Sequence, residues 1–158
     1  MKIYILIAGL ALVLGSCHQN NSMKKEENTT YAFRLRPGED LKEALVRKTK
    51  EHHIRAGWVV TCAGSLTDYC IRFANQPDSS TGSGHFEIVS LTGTLSPDGP
   101  HLHISISDST GNTIGGHLMS GCKIYTTAEI VIQSSSGFEF TREKDGTTPW
   151  DELQVKKL

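Results

Sequence analysis

The spacing of apolar and polar residues changes character several times along the chain. An apolar run over residues 3–14 comes first, and 18–30 then contains almost nothing apolar. From 31 to 36 apolar and basic residues alternate (Tyr-Ala-Phe-Arg-Leu-Arg), a period of two that predicts a strand. Pro37-Gly38 marks a turn, after which Leu41, Ala44, Leu45 and Thr49 recur at helical spacing, while Lys42, Glu43, Arg47, Lys48 and Lys50 fall on the opposite, wet side. A helix to about His53 follows, with Glu39 and Asp40 as acids at its first turn, where the dipole favours them. His52 and His53 then sit at its C-terminal end, a place suited to cations and poorly suited to a ligand role.

Beyond that helix the pattern is almost wholly β. Residues 57–63 read as a strand, Gly64-Ser65 as a break, and 66–73 as the hairpin partner. A loop is expected over 75–84 from its Gly, Ser, Asn and Pro content, then a long strand over 85–95 with Gly93 as a bulge. Further strands are expected over 101–107, 122–133 and 138–142, the last completing the sheet. Residues 143–158 read as a polar C-terminal tail, with Trp150 docking on the body. One helix among some seven strands predicts a single α+β domain over 31–142, a mixed or antiparallel sheet with one main flanking helix. No internal repeat is present.

The first thirty residues stand apart from this fold. Lys2, the apolar run and Gly15-Ser16 form a signal segment over 1–16, too short to span a bilayer comfortably. Leu14-Gly15-Ser16-Cys17 resembles a bacterial lipobox, which implies cleavage before Cys17, lipid attachment to its sulfur and a membrane-anchored protein of the bacterial cell envelope. Residues 17–30 then serve as a flexible tether. Sixteen Lys and Arg against 17 Asp and Glu leave the chain near neutral, without the basic footprint of a phosphate-binding surface. Cys62, Cys70 and Cys122 lie in apolar runs and read as small buried hydrophobes, with a Cys62–Cys70 bridge across the expected hairpin as the alternative.

The candidate chemistry lies in Pro-His-Leu-His-Ile-Ser-Ile-Ser, residues 100–107. Side chains two apart share one face of a strand, so His101 and His103 stand together, backed by Ser105 and Ser107. Leu102, Ile104 and Ile106 take the core face. A rise of about 3.3 Å per residue brings both imidazoles within reach of one metal ion. A turn at 108–112 brings the chain back and delivers His117. Three histidines with an open fourth position suit a divalent metal, zinc above all. Glu129, on the following strand, is the candidate general base or fourth ligand.

Taken in order, Arg-Pro-Gly-Glu-Asp-Leu from Arg36, Ala-Gly-Ser-Leu from Ala63, Gly-His-Phe-Glu-Ile-Val-Ser-Leu-Thr-Gly-Thr from Gly84, His101-Leu-His, Gly-Gly-His-Leu-Met-Ser-Gly from Gly115 and Thr-Ala-Glu-Ile-Val-Ile from Thr127 resemble the plants-and-prokaryotes conserved (PPC) domain, a domain of unknown function. The resemblance implies a sheet of about seven strands flanked by helices, assembled as a homotrimer, and a metal site that falls on His101, His103 and His117. It also brings a DNA-binding label, because plant members join this domain to an AT-hook. The nearest match here, Arg34-Leu35-Arg36-Pro37, carries leucine where the hook needs glycine, and an exported protein does not meet chromosomal DNA, so DNA is not the expected partner. Two roles remain: a trimeric module binding a small molecule or an envelope partner, or a metal-dependent enzyme of hydrolase or lyase type.

Overall fold

The computed structural model describes residues 27–158. The expected signal segment 1–16, the expected lipidation position Cys17 and the expected tether up to residue 26 lie outside them. The elements in order are β1 (Asn28–Leu35), α1 (Leu41–Glu51), β2 (Gly57–Arg72), β3 (Ser80–Leu95), β4 (His101–Ser107), β5 (Thr113–Leu118), β6 (Lys123–Ser135), β7 (Phe138–Glu143) and β8 (Glu152–Lys157). The first six strands form one antiparallel sheet in the order β1-β6-β2-β3-β4-β5, and β7 pairs with β8 in a separate ribbon. The far end of β2 also pairs with β5, Ile71 opposite Leu118 and Arg72 opposite His117, so the sheet closes on itself through β2-β3-β4-β5. The fold is a single-domain α+β structure with one helix among the described residues.

The helix begins where its chemistry places it. Asp40 is the N-cap, its Oδ1 accepting from the Glu43 amide at 3.1 Å and its Oδ2 from the Gly121 amide at 2.7 Å. Glu39 stays outside the helix and accepts from the Arg36 amide. The expected stripe of Leu41, Ala44, Leu45 and Thr49 is buried. It packs on a core that includes Leu35, Leu66, Leu95, Ile106, Ile124, Ile130 and Ile132, all 2 % exposed or less.

Five readings of the chain change. The hairpin expected at Gly64-Ser65 does not form, because β2 runs unbroken for 16 residues. Gly64 is there for a close approach: a Cβ on it would lie 2.2 Å from the Thr127 carbonyl oxygen of β6. A Cys62–Cys70 bridge is thereby excluded, since both lie eight residues apart on one strand, about 26 Å at an extended rise. Cys62, Cys70 and Cys122 are free thiols. Second, β3 starts at Ser80 and absorbs half of the expected loop. Third, Gly93 stays in register opposite Leu102, and the skips in pairing fall at Val60, Ser65 and Thr67 of β2 and at Val89 of β3, the two valines being the apolar ones. Val60 and Val89 are thereby turned outward, 50 % and 58 % exposed. Fourth, 138–142 does not complete the main sheet, and the polar tail is a strand over six of its residues. The tether, for its part, gives way to β1 already at Asn28.

The β7–β8 ribbon is fixed to the body by its β7 edge. Phe140 is 9 % exposed, its amide donates to the Arg55 carbonyl, and Arg55 forms a 2.6 Å ion pair with Glu139. Further along, the Arg142 amide donates to Asp98 Oδ2 and its Nη2 to Thr94 Oγ1 at 3.1 Å. The ribbon therefore leans over the ends of β3 and β4, beside the histidines.

Candidate metal centre

Alternation on β4 sets the first two ligands. Leu102, Ile104 and Ile106 are 1, 2 and 0 % exposed on the core side, which forces His101 and His103 to the other face. The 108–112 turn sets the third. Asp108 Oδ1 accepts from the amides of Thr110 and Asn112 and from the Thr110 hydroxyl, an arrangement that locks the reversal. With Ser107 opposite Thr113, the antiparallel register places His117 directly across from His103. Ring centroids stand 5.1 Å apart for His101–His103 and His101–His117, and 5.7 Å for His103–His117. One ligand atom from each of the three lies within 4.8 Å of the others.

The electrostatics suit a cation ligand set. Burial, then the neighbouring His101, Arg72, Lys42 and His103, push the His117 imidazole down to about 4. Burial lowers His101 too, helped by Arg142 and His103 and opposed by Glu152. Both rings are therefore neutral at physiological pH, with a lone pair free to donate. His117 Nδ1 is buried and has no hydrogen-bond partner. A buried polar atom left so costs about 1–3 kcal/mol, and a bound ion close to the ring would relieve it. The three imidazoles thus fit a divalent metal. When bound, such an ion supplies Lewis acidity and activates water. The chain's own part is to orient the three rings and to keep His101 and His117 half-buried, with His103 exposed at the rim.

A cleft of about 330 Å³ opens beside His101 and His117, lined also by Arg72, Arg142, Trp150, Asp151 and Glu152. A second hollow on the His103 side shares His101, Arg142 and Glu152. Trp150 is 63 % exposed, its ring 5.5 Å from the Arg72 guanidinium. Sequence reading missed every one of these neighbours except Trp150, whose expected docking on the body takes the form of this contact. A signal was present: Leu153 and Val155 alternate with polar residues in 152–157, the period of a strand.

Glu129 is not brought to the cluster. It is exposed on β6, opposite Ala63 of β2, whereas His117 stands opposite Arg72. Those two β2 positions are nine residues apart, about 30 Å along an extended strand. The carboxylates that do reach the cleft are Asp151 and Glu152.

Comparison with known proteins agrees with the fold. The Plants and Prokaryotes Conserved (PCC) domain model matches residues 23–136. A bifunctional protein GlmU of Synechococcus sp. strain JA-3-3Ab is 44 % identical over 128 residues, 81 % of this chain. The chain spans about a fifth, 21 %, of that relative's length. Among solved structures, a hypothetical protein from Salmonella is 38 % identical with a TM-score of 0.81, covering 84 % of this chain and 96 % of that one. A metal-containing protein from Archaeoglobus fulgidus (23 % identity, TM-score 0.68, covering 80 % and 93 %) shares the fold. So does a Bacteroides thetaiotaomicron protein provisionally described as DNA-binding (22 %, TM-score 0.70, covering 82 % and 96 %). With the model matching most of the chain, the protein belongs to the Plants and Prokaryotes Conserved domain family.

Proposed function

We propose that this domain is a metal-binding module in which His101, His103 and His117 hold one divalent ion, zinc, and leave a coordination position facing the cleft for a small molecule. The observation that carries the reading is the convergence of three imidazoles from adjacent strands, ligand atoms within 4.8 Å, one of the rings carrying a buried nitrogen that lacks a hydrogen-bond partner. Protein purified without chelator should contain about one metal equivalent per chain by elemental analysis. His101→Ala with His103→Ala should lose it. Equal metal in wild type and double variant would sink the site.

A metal-dependent hydrolase or lyase is the second reading. It is favoured by the two carboxylates in the cleft, and proton transfer there would fall to Glu152 or Asp151 rather than to Glu129. A DNA-binding role is the third, carried by the description of a fold neighbour at 22 % identity. Here the Arg34-Leu35-Arg36 stretch offers it little. Leu35 is 2 % exposed at the end of β1, and Arg34 Nε donates to Thr127 Oγ1. A salt-dependent shift of an A·T-rich duplex by the purified domain would favour this third reading over the first.

A further inference from the structure

We propose that the cleft beside the three histidines receives a small monoanionic carboxylate, with Arg72 and Arg142 as its charge partners and Trp150 as its cover; the inference rests on the metal reading above. Arg47 and Arg55 both form ion pairs, but neither Arg72 nor Arg142 does among the described residues. Among the described residues the Arg72 side chain forms no hydrogen bond, and its guanidinium lies 5.5 Å from the Trp150 ring. Arg142 gives one Nη to Thr94 Oγ1 and the other, at 3.4 Å, to the Asp151 carbonyl. Guanidinium groups carry five donors in a planar fork that matches a carboxylate, so donors remain on both side chains, facing the same cavity.

The charge count calls for an anion. Imidazoles that hold an ion do so as neutral ligands and add no charge, and the two arginines are balanced by Asp151 and Glu152. A divalent ion then leaves the cleft with an excess of positive charge. A carboxylate is drawn to the arginine wall and matches the planar guanidinium fork with both of its oxygens, whereas a tetrahedral phosphate would turn further oxygens toward Asp151 and Glu152. The volume, about 330 Å³, suits a small ligand. Trp150 supplies an apolar surface for its non-ionic part. Arg142, Trp150, Asp151 and Glu152 all lie beyond residue 136, where the match to the family model ends.

The test uses the full chain loaded with zinc, with metal measured in every variant and ligand binding followed by tryptophan fluorescence. The probes are propionate, its neutral isostere propionamide, and inorganic phosphate. Propionate is expected to bind at least tenfold more tightly than propionamide, and Trp150→Phe to remove the signal while Trp58 remains. Arg72→Gln and Arg142→Gln should each weaken propionate about tenfold with metal content unchanged, and Arg72→Lys should recover part of the loss. Because Arg142 also anchors the ribbon, the Arg72 pair decides the matter should Arg142→Gln fold poorly. A fully metallated protein that binds propionate and propionamide alike overturns this inference and leaves the metal reading standing. Tighter binding of phosphate overturns the choice of carboxylate. A wild-type protein that holds no metal overturns both readings.

Discussion

His117 carries the strongest chemical demand in the molecule. Its ring is neutral down to about pH 4, against 6.5 for an ordinary histidine, chiefly because burial penalises the charged form. The unfolded chain therefore binds a proton here at a higher pH than the folded one. Stability from this group is fully present above about 6.5 and is lost as pH falls through 6.5 toward 4. Metal-free protein should lose thermal stability on acidification across that window, and His117→Gln should flatten the dependence. A melting temperature with the same acid slope in both would refute the assignment. Cys62 and Cys122, by contrast, are pushed up to about 12 and about 11 by burial. They are inert thiols that pack as hydrophobes, as their apolar surroundings in the sequence suggested.

At the level of elements, the β4–β5 hairpin positions the cluster and β2 braces it. A Cβ on Gly116 would lie 2.6 Å from the Arg72 carbonyl oxygen, so β5 can cross β2 only with glycine there. Gly116→Val should push β5 away beside His117, lowering metal affinity at least tenfold and costing about 1–3 kcal/mol of stability, as overpacking does. Titration with zinc together with urea denaturation would check both. The helix and the histidine strand were legible in sequence because their signals are local: Leu41, Ala44, Leu45 and Thr49 for one, Leu102, Ile104 and Ile106 for the other. His117 was legible less directly: Asp108 and Gly111 announce the turn that returns the chain, but its place as the third ligand leaned on the family resemblance. The course of β2 was not. Gly64-Ser65 looks like turn punctuation, and the backbone it actually accommodates arrives from residue 127, far along the chain. The ribbon was hidden for a like reason, because β8 makes sense only once β7 is known to lack another partner.

At the scale of the whole molecule, assembly and location are proposals that follow from the sequence. β1 pairs with β6 over residues 128–135 and β2 pairs with it over 123–134, so most of this long strand has both edges taken within the chain. The case for a trimer thus moves to the family resemblance and to exposed apolar side chains such as Val60, Val89 and Tyr125. Light scattering of the purified protein should give three times the monomer mass, and a stable monomer at micromolar concentration would dispose of the idea. For location, Cys17→Ala should move the protein from the membrane fraction to the soluble or unprocessed one. A variant still lipidated and membrane-bound would disprove the lipobox reading.

The pairing of β1 with β6 also orders events in time. Asn28 meets Ser135, and β2 finds the partner for one of its edges only in residues 123–134. Contacts of such separation close late and slowly. A nascent chain interrupted before residue 123 would carry the β4–β5 hairpin with all three histidines, yet lack the strand that holds β1 to β2. The ligands would then exist as a local hairpin before the domain does. The ribbon bearing Arg142 and Trp150 follows β6 in the chain, so the cleft is completed only after the strand that joins β1 to β2 is in place.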